Sequence, residues 1–248
     1  NDSAYETALE FKKQGIDPII LDTREEHSSE LIDAAKSQNI QIKFSHAVIA
    51  ANGYRKVKSA QIGRLNKEKT EFENSETIEC DCICVSGFWT PTVHLASQSG
   101  NKLKFDDRID AFVPNKSKQN ETSVGSSKGT FTLKETLNDG FKSGFDLSKK
   151  ITNNNNSSSI PNSNETKKNP HDKFWCSPLP KNKNFKRFVD FQNDVAVSDI
   201  EVALREGYRS IEHVKRYTTL GMATDQGRTS NLNGLQLVAN VEKKIVPQ

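Results

Sequence analysis

The chain has 248 residues, of which 33% are hydrophobic and 27% charged. Length alone suggests one or two domains, at about 150 residues each. The apolar share is lean beside the ~45–50%, glycine included, of an ordinary soluble domain. Lysine and arginine total 35 against 32 acids, a net charge of +3. No single-sign field dominates, which argues against a nucleic-acid partner. No apolar run approaches the ~20 residues of a membrane span, so no membrane partner is expected either.

Asn1-Asp2-Ser3-Ala4-Tyr5 has no signal organisation and no starting methionine. The chain is therefore expected to be an internal piece of a longer protein. There are 4 cysteines, too few for a disulfide framework, and the protein is expected to be reduced and cytoplasmic. Cys80, Cys82 and Cys84 alternate, so on a strand they would share one face as a small buried row. Zinc or iron–sulfur ligation would need a second cluster or histidine partners, and no metal site is assigned.

In chain order, Ser3 to Gln14 has helical periodicity and stops at Gly15. Pro18 to Asp22 reads as a short strand ending in an acid, and Ser29 to Gln38 as a second helix. Strands are expected over 40–48, 54–65 and 80–86. This rhythm predicts an α/β nucleotide-binding fold. There is no G-x-G in the chain, so the usual pyrophosphate fingerprint is absent here. Asp22 then has two readings: a relic in a degenerate scaffold, or a ribose-binding acid. The turn Gly87-Phe88-Trp89-Thr90-Pro91 falls at a strand's carboxyl end, where α/β proteins bind ligands. Gly125-Ser126-Ser127-Lys128-Gly129-Thr130 precedes a helix expected over Phe131 to Lys142. Such a loop is a plain tight turn or a set of free N–H donors for a phosphate. His94 reads more as a core or surface histidine than as a ligand or base.

The rhythm breaks over 146–174. The Asn153–Ser159 run and Lys167-Lys168-Asn169-Pro170 have nothing to pack, and a flexible linker is expected. The organisation is thus 1–145, a partial FAD/NAD(P)-binding domain; 146–174, a linker; and 175–248, a small and mainly helical domain. In the last, Phe188 to Val195 is a short strand or turn. Ser198 caps one helix running to Gly207, a second helix runs from Ser210 to about Leu220 and ends at Gly221, and a third opens at Thr229-Ser230-Asn231.

Two runs are distinctive: Phe188-Val189-Asp190-Phe191-Gln192-Asn193-Asp194-Val195, and Glu206 through Gly227, with Lys215-Arg216-Tyr217-Thr218-Thr219-Leu220-Gly221-Met222 at its centre. With Val85-Ser86-Gly87, Val93-His94-Leu95 and Gly129-Thr130-Phe131, they resemble the alpha subunit of heterotetrameric sarcosine oxidase. The resemblance spans nearly all of the chain except the linker. It implies NAD in the alpha subunit, FMN at the interface with the beta subunit, FAD in the beta subunit, and tetrahydrofolate in a C-terminal domain outside this chain. It implies beta, gamma and delta partners, and an enzyme that converts sarcosine to glycine, hydrogen peroxide and 5,10-methylenetetrahydrofolate. NAD contacts carried over fall at Gly125, Lys128, Gly129, Thr130, Leu133 and Glu135. Lys215, Arg216, Thr218 and Thr219 are expected to line the FMN site. No catalytic residue is assigned to this chain.

Departures from the family pattern are Phe88 and Thr90 in the first turn, and Ser126 and Ser127 before Lys128. The helical unit also resembles [2Fe-2S] ferredoxin-like domains of opine and cyanide-forming amine dehydrogenases. Their C-x-C and C-x4-C positions are here Asp190, Gln192, Asp225 and Ser230. No thiolate remains for a cluster. An electron-transfer module of such a dehydrogenase is the alternative function, and a non-catalytic scaffold is a third.

Overall fold

The computed structural model describes residues 1–87, 89–152, 163, 173–180 and 185–246. They fall into two compact units. One joins Asp2–Ser86 to the chain after Asp172, and the other runs from Gly87.

The first unit begins with α1 (Ser3–Lys13), β1 (Ile19–Asp22), α2 (Glu30–Ser37) and β2 (Gln41–Phe44). β1 and β2 pair in parallel, Ile20 opposite Ile42. Tyr5, Ala8, Ile20, Ile32, Ala35 and Ile40 form the core beneath them, as the helical and strand periodicities require. Ser29 caps α2 by accepting the Ile32 N–H at 3.2 Å. The single strand expected over 40–48 is broken at Ser45, which has φ +55°. Its N–H donates to the Arg24 carbonyl at 2.9 Å, and the Leu65 N–H donates to its carbonyl at 2.7 Å. The chain thereby leaves β2 and enters an antiparallel sheet of β3 (His46–Gly53), β4 (Val57–Arg64) and β5 (Glu76–Glu79).

The strand expected over 80–86 does not form. Cys80 N–H still donates to the Lys58 carbonyl at 3.2 Å. β4 begins at Val57, so the ladder has no partner left to offer beyond that point. Cys82 and Cys84 are exposed, and the cysteines make no buried row.

After residue 172 the same unit carries a hairpin of β8 (Phe188–Asp190) and β9 (Val195–Ala196), then α5 (Val197–Arg205), α6 (Ile211–Thr218) and α7 (Asn231–Val241). Val189, Ile200, Ala203, Val214, Leu220 and Leu237 are central to its core. A side chain on Gly234 would meet Leu220 Cδ2 at 2.4 Å, so only glycine lets α7 approach this closely. The cap of α5 differs from expectation. Ser198 lies inside the helix, and Asp199 does the capping by accepting the Ala196 N–H at 2.8 Å. α6 ends earlier than expected, at Thr219 with φ +63°.

The other unit holds α3 (His94–Gln98), a hairpin of β6 (Leu103–Asp106) and β7 (Ala111–Pro114), a 3-10 turn (Gly125–Lys128) and α4 (Leu133–Thr152). His94 is exposed. α4 runs to Thr152, so the first residues of the expected linker are helical. Most of 153–174, and Phe88, lie outside the described residues. Among the described residues no helix is long and apolar enough to cross a membrane.

Candidate functional site

The helical unit brings its four distinctive positions together. Asp190 is buried, as is Ser230. Asp190 Oδ1 accepts the N–H groups of Gln192 at 2.9 Å and Asn193 at 3.3 Å. Its Oδ2 accepts the Gly221 N–H at 2.8 Å, with the Ser230 hydroxyl at 3.5 Å. Asp225 accepts from Thr229 Oγ1 at 2.7 Å, from the Thr229 N–H at 3.1 Å and from the Gly227 N–H at 3.0 Å. The Thr229 hydroxyl foremost, then those N–H groups and Gln192, hold its carboxyl below the usual range. Oxygen acceptors and backbone donors thus satisfy one another in this cluster. Among the described residues, no group of three or more histidine, cysteine or acidic side chains is placed to hold a metal ion.

The same cluster pins the end of α6. Asn193 Nδ2 donates to the Thr219 carbonyl at 2.8 Å, two residues before Gly221. Of the expected FMN residues, Lys215 is half-buried and Arg216 exposed. Lys215 Nζ lies 3.9 Å from Glu212. Both cations sit in the last helical turn, the end that favours positive charge. The hydroxyls are differently placed. Thr218 Oγ1 donates to the Val214 carbonyl at 2.8 Å, and Thr219 Oγ1 to the Thr218 carbonyl at 2.6 Å. The cations fit a phosphate, whereas the threonine protons are engaged within the helix end. Tyr208 and Tyr217 pack with tilted rings, their centroids 4.9 Å apart.

The Gly/Ser loop turns inward. Gly125 has φ +63°, and its N–H donates to Asp139 Oδ2 at 2.9 Å. Lys128 Nζ donates to Asp139 Oδ1 at 2.8 Å. That lysine is the main reason the Asp139 carboxyl is held low. The Gly129 N–H goes to Ser126 and the Thr130 N–H to Gly125. Thr132 caps α4, donating to Glu135 at 2.7 Å while accepting the Glu135 N–H at 3.3 Å. Leu133 and Glu135 are exposed. Of the two readings of this loop, the tight turn matches its contacts: the N–H groups of Gly125, Gly129 and Thr130 are all taken up within the chain. Gly129, at φ +97°, lies against Ile109 and Val113, where a Cβ would sit 2.8 Å from Ile109 Cδ1.

At the end of β1, Asp22 is buried with every acceptor face engaged. Tyr5 Oη donates to Oδ2 at 2.7 Å, and Arg24 donates through Nε and Nη2 at 2.9–3.2 Å. Arg24 Nη1 also pairs with Asp2 at 2.8 Å. Burial pushes the Asp22 carboxyl up, but the bonds from Arg24 and Tyr5 outweigh it and hold it low. Burial and the Asp22 carboxylate together push the Tyr5 phenol up. The scaffold reading of Asp22 thus matches its contacts, and a ribose would have to displace Arg24 or Tyr5. Sequence reasoning missed this network, although the Asp22-Thr23-Arg24 spacing after a strand was its signal.

The mixed α/β fold is shared with L-proline dehydrogenase from P. horikoshii, with a TM-score of 0.57 at 16% identity, over 92% of this chain and 45% of that one. Residues 184–248 match the Sarcosine oxidase A3 domain. The chain is 30% identical to "Sarcosine oxidase subunit alpha" of Rhizobium meliloti (strain 1021) over 96% of its own length and 23% of the relative's. It is 28% identical to the subunit of the same name from Corynebacterium sp. (strain P-1), over 97% of its own length and 25% of the relative's. The chain is thus a relative of the sarcosine oxidase alpha subunit, as its sequence led us to expect, and spans about a quarter of the length of the curated relatives it matches.

Proposed function

We propose that this chain is part of an alpha subunit of a sarcosine oxidase, an oxidoreductase of several subunits. The observation that carries this is the continuous similarity to subunits of that name over 96% of the chain. The assembled enzyme would convert sarcosine, oxygen and tetrahydrofolate to glycine, hydrogen peroxide and 5,10-methylenetetrahydrofolate. FAD would lie in the beta subunit, FMN at the alpha–beta interface, and NAD in the alpha subunit. Beta, gamma and delta subunits would be its partners.

In this reading the chain binds and positions rather than reacts. Lys215 and Arg216 would face the FMN phosphate, with the α6 end held in place by Asn193 and Asp190. Thr218 and Thr219 would act as hydroxyl donors to FMN once their protons leave the Val214 and Thr218 carbonyls. Gly125, Lys128, Gly129, Thr130, Leu133 and Glu135 would meet NAD once the loop opens, releasing Lys128 and the Gly125 N–H from Asp139 and the Gly129 and Thr130 N–H groups from the loop carbonyls. The helical unit would be a ferredoxin-like domain that has lost its cluster.

The test uses the whole complex. Lys215→Ala and Arg216→Ala are each introduced, and flavin content, subunit assembly and stopped-flow reoxidation are measured. A charged hydrogen bond contributes roughly 1.5–3 kcal/mol, so FMN retention should fall by about one to two decades. If FMN is covalently held, slower reoxidation or weaker assembly should replace that loss. Unchanged values in both variants would place the FMN site elsewhere. Lys128→Ala should lower NAD content, and equal NAD content would remove the loop from the site.

A further inference from the structure

The segment between β5 and Ser86 is tied at its ends and free between them. At one end Cys80 N–H bonds to Lys58. At the other, the hydroxyls of Ser86 and Ser3 lie 2.7 Å apart. Among the described residues, 81–86 make no backbone hydrogen bond. On this arch Cys82 and Cys84 are both exposed, with their sulfurs 3.8 Å apart.

We propose that Cys82 and Cys84 form a reversible disulfide site, oxidised by hydroperoxides and reduced by small thiols. Three features carry this. The sulfurs are already neighbours, and a bond requires them to close to about 2.05 Å. The backbone between them has no ladder to break, so it can twist to supply the needed dihedral. Both thiols are open to solvent, where a peroxide can reach them.

The chemistry balances in two steps. One thiolate attacks the peroxide O–O bond, giving a sulfenic acid and, once the leaving oxygen is protonated, water from hydrogen peroxide or an alcohol from an organic hydroperoxide. The second thiol then attacks the sulfenic sulfur, forming S–S and expelling a water. The peroxide is reduced by two electrons and the two thiols are oxidised. Bonding to Cys82, and then burial, hold the Cys84 thiol above the ordinary range, so closure should quicken in alkaline solution, above the ordinary thiol range. A ring spanning a single intervening residue is tight, which makes such a disulfide more reducible than an ordinary structural one.

Cys176 is a built-in control. It is partly buried, and Arg187 Nη1 lies 3.2 Å from its sulfur. Burial pushes its thiol up, against the pull of Arg187, and no other cysteine sulfur is bonded to it among the described residues.

The experiment treats the whole chain with hydrogen peroxide and measures its intact mass, then maps the tryptic peptide 70–102, which holds Cys80, Cys82 and Cys84. The wild-type chain, Cys80→Ser and Cys176→Ser should each lose about 2 Da, regained with dithiothreitol. Cys82→Ser and Cys84→Ser should not lose it. Oxygen addition or intermolecular dimers in place of that loss would overturn the site. So would a persisting 2 Da loss in Cys82→Ser or Cys84→Ser.

Discussion

Asp190 Oδ2 accepts the Gly221 N–H at 2.8 Å, joining the β8 turn to the end of α6 across 31 residues of sequence. The carboxylate is 2% exposed, so the partners it would leave behind have little water to turn to. Asp190→Ala should destabilise the chain by about 1–3 kcal/mol, the cost of unsatisfied buried donors. Asp190→Asn should also destabilise it, because an amide NH2 would face a donor on one side. Urea unfolding tests both: the midpoint should fall while the slope stays constant. Wild-type midpoints would assign the turn's stability to the surrounding apolar core.

Asn231 explains two glycines at once. At Gly221, φ is +69°, and a Cβ would lie 2.0 Å from Asn231 Oδ1. At Gly227, φ is +76°, and a Cβ would lie 2.1 Å from Asn231 Nδ2. Gly221→Ala should cost at least the ~1–2 kcal/mol of a left-handed alanine, with steric conflict added. In an Asn231→Ala background most of the added part should vanish, leaving the backbone cost and a 3.1 Å approach to the Gly227 Cα. A double-mutant cycle reads this directly, and additive effects would show that the asparagine does not set the limit.

The Tyr5–Asp22–Arg24 network gives the stability a pH dependence. The Asp22 carboxyl is lower in the folded chain than in the unfolded one. Its stabilisation is therefore complete above the unfolded value of about 3.9, and is lost as pH falls through the folded value. The Tyr5 phenol is raised, so its contribution is complete below about 10 and declines above it. Tyr5→Phe removes a hydrogen bond to a buried carboxylate and should cost roughly 1.5–3 kcal/mol at neutral pH. It should also flatten the alkaline decline. Identical alkaline limbs in the two proteins would trace that decline to other groups.

Local signals served the sequence reading best where neighbours in sequence decide the outcome. α1, β1 and α2 follow from apolar spacing and a serine cap, and their ends agree within a residue or two. The Cys80–Ser86 alternation misled, because a strand also needs a partner edge, and β4 begins too late to supply one. Among the candidate sites, Lys215 and Arg216 were legible as a cationic helix end. The inward turn of Lys128 toward Asp139, 11 residues away, was not. Nothing in a Gly/Ser loop says whether its donors face a ligand or the chain's own carboxylate. The cap of α5 shows the same limit at short range: Ser198 and Asp199 both qualify by residue type, and only the backbone path selects Asp199.

The last prediction concerns iron. Asp190, Gln192, Asp225 and Ser230 are the residues that the sequence leads one to expect where ferredoxin-like domains carry cluster-binding cysteines. Asp190 and Ser230 are linked at 3.5 Å, and a bond from Gln192 helps to hold the Asp225 carboxyl low. Soft iron–sulfur clusters take thiolates, and these side chains offer oxygen or amide groups already engaged with one another and with the backbone. Arg187 and Ser177 are the hydrogen-bond partners of Cys176. Anaerobic reconstitution of the chain with ferrous iron and sulfide should therefore yield no stoichiometric iron, no acid-labile sulfide and no charge-transfer absorption. Because Cys80, Cys82 and Cys84 could scavenge iron, the assay is repeated with all three changed to serine. Stoichiometric iron and sulfide persisting in that variant would mean that the helical unit still holds a cluster, and that its oxygen-rich turn is not a replacement for one.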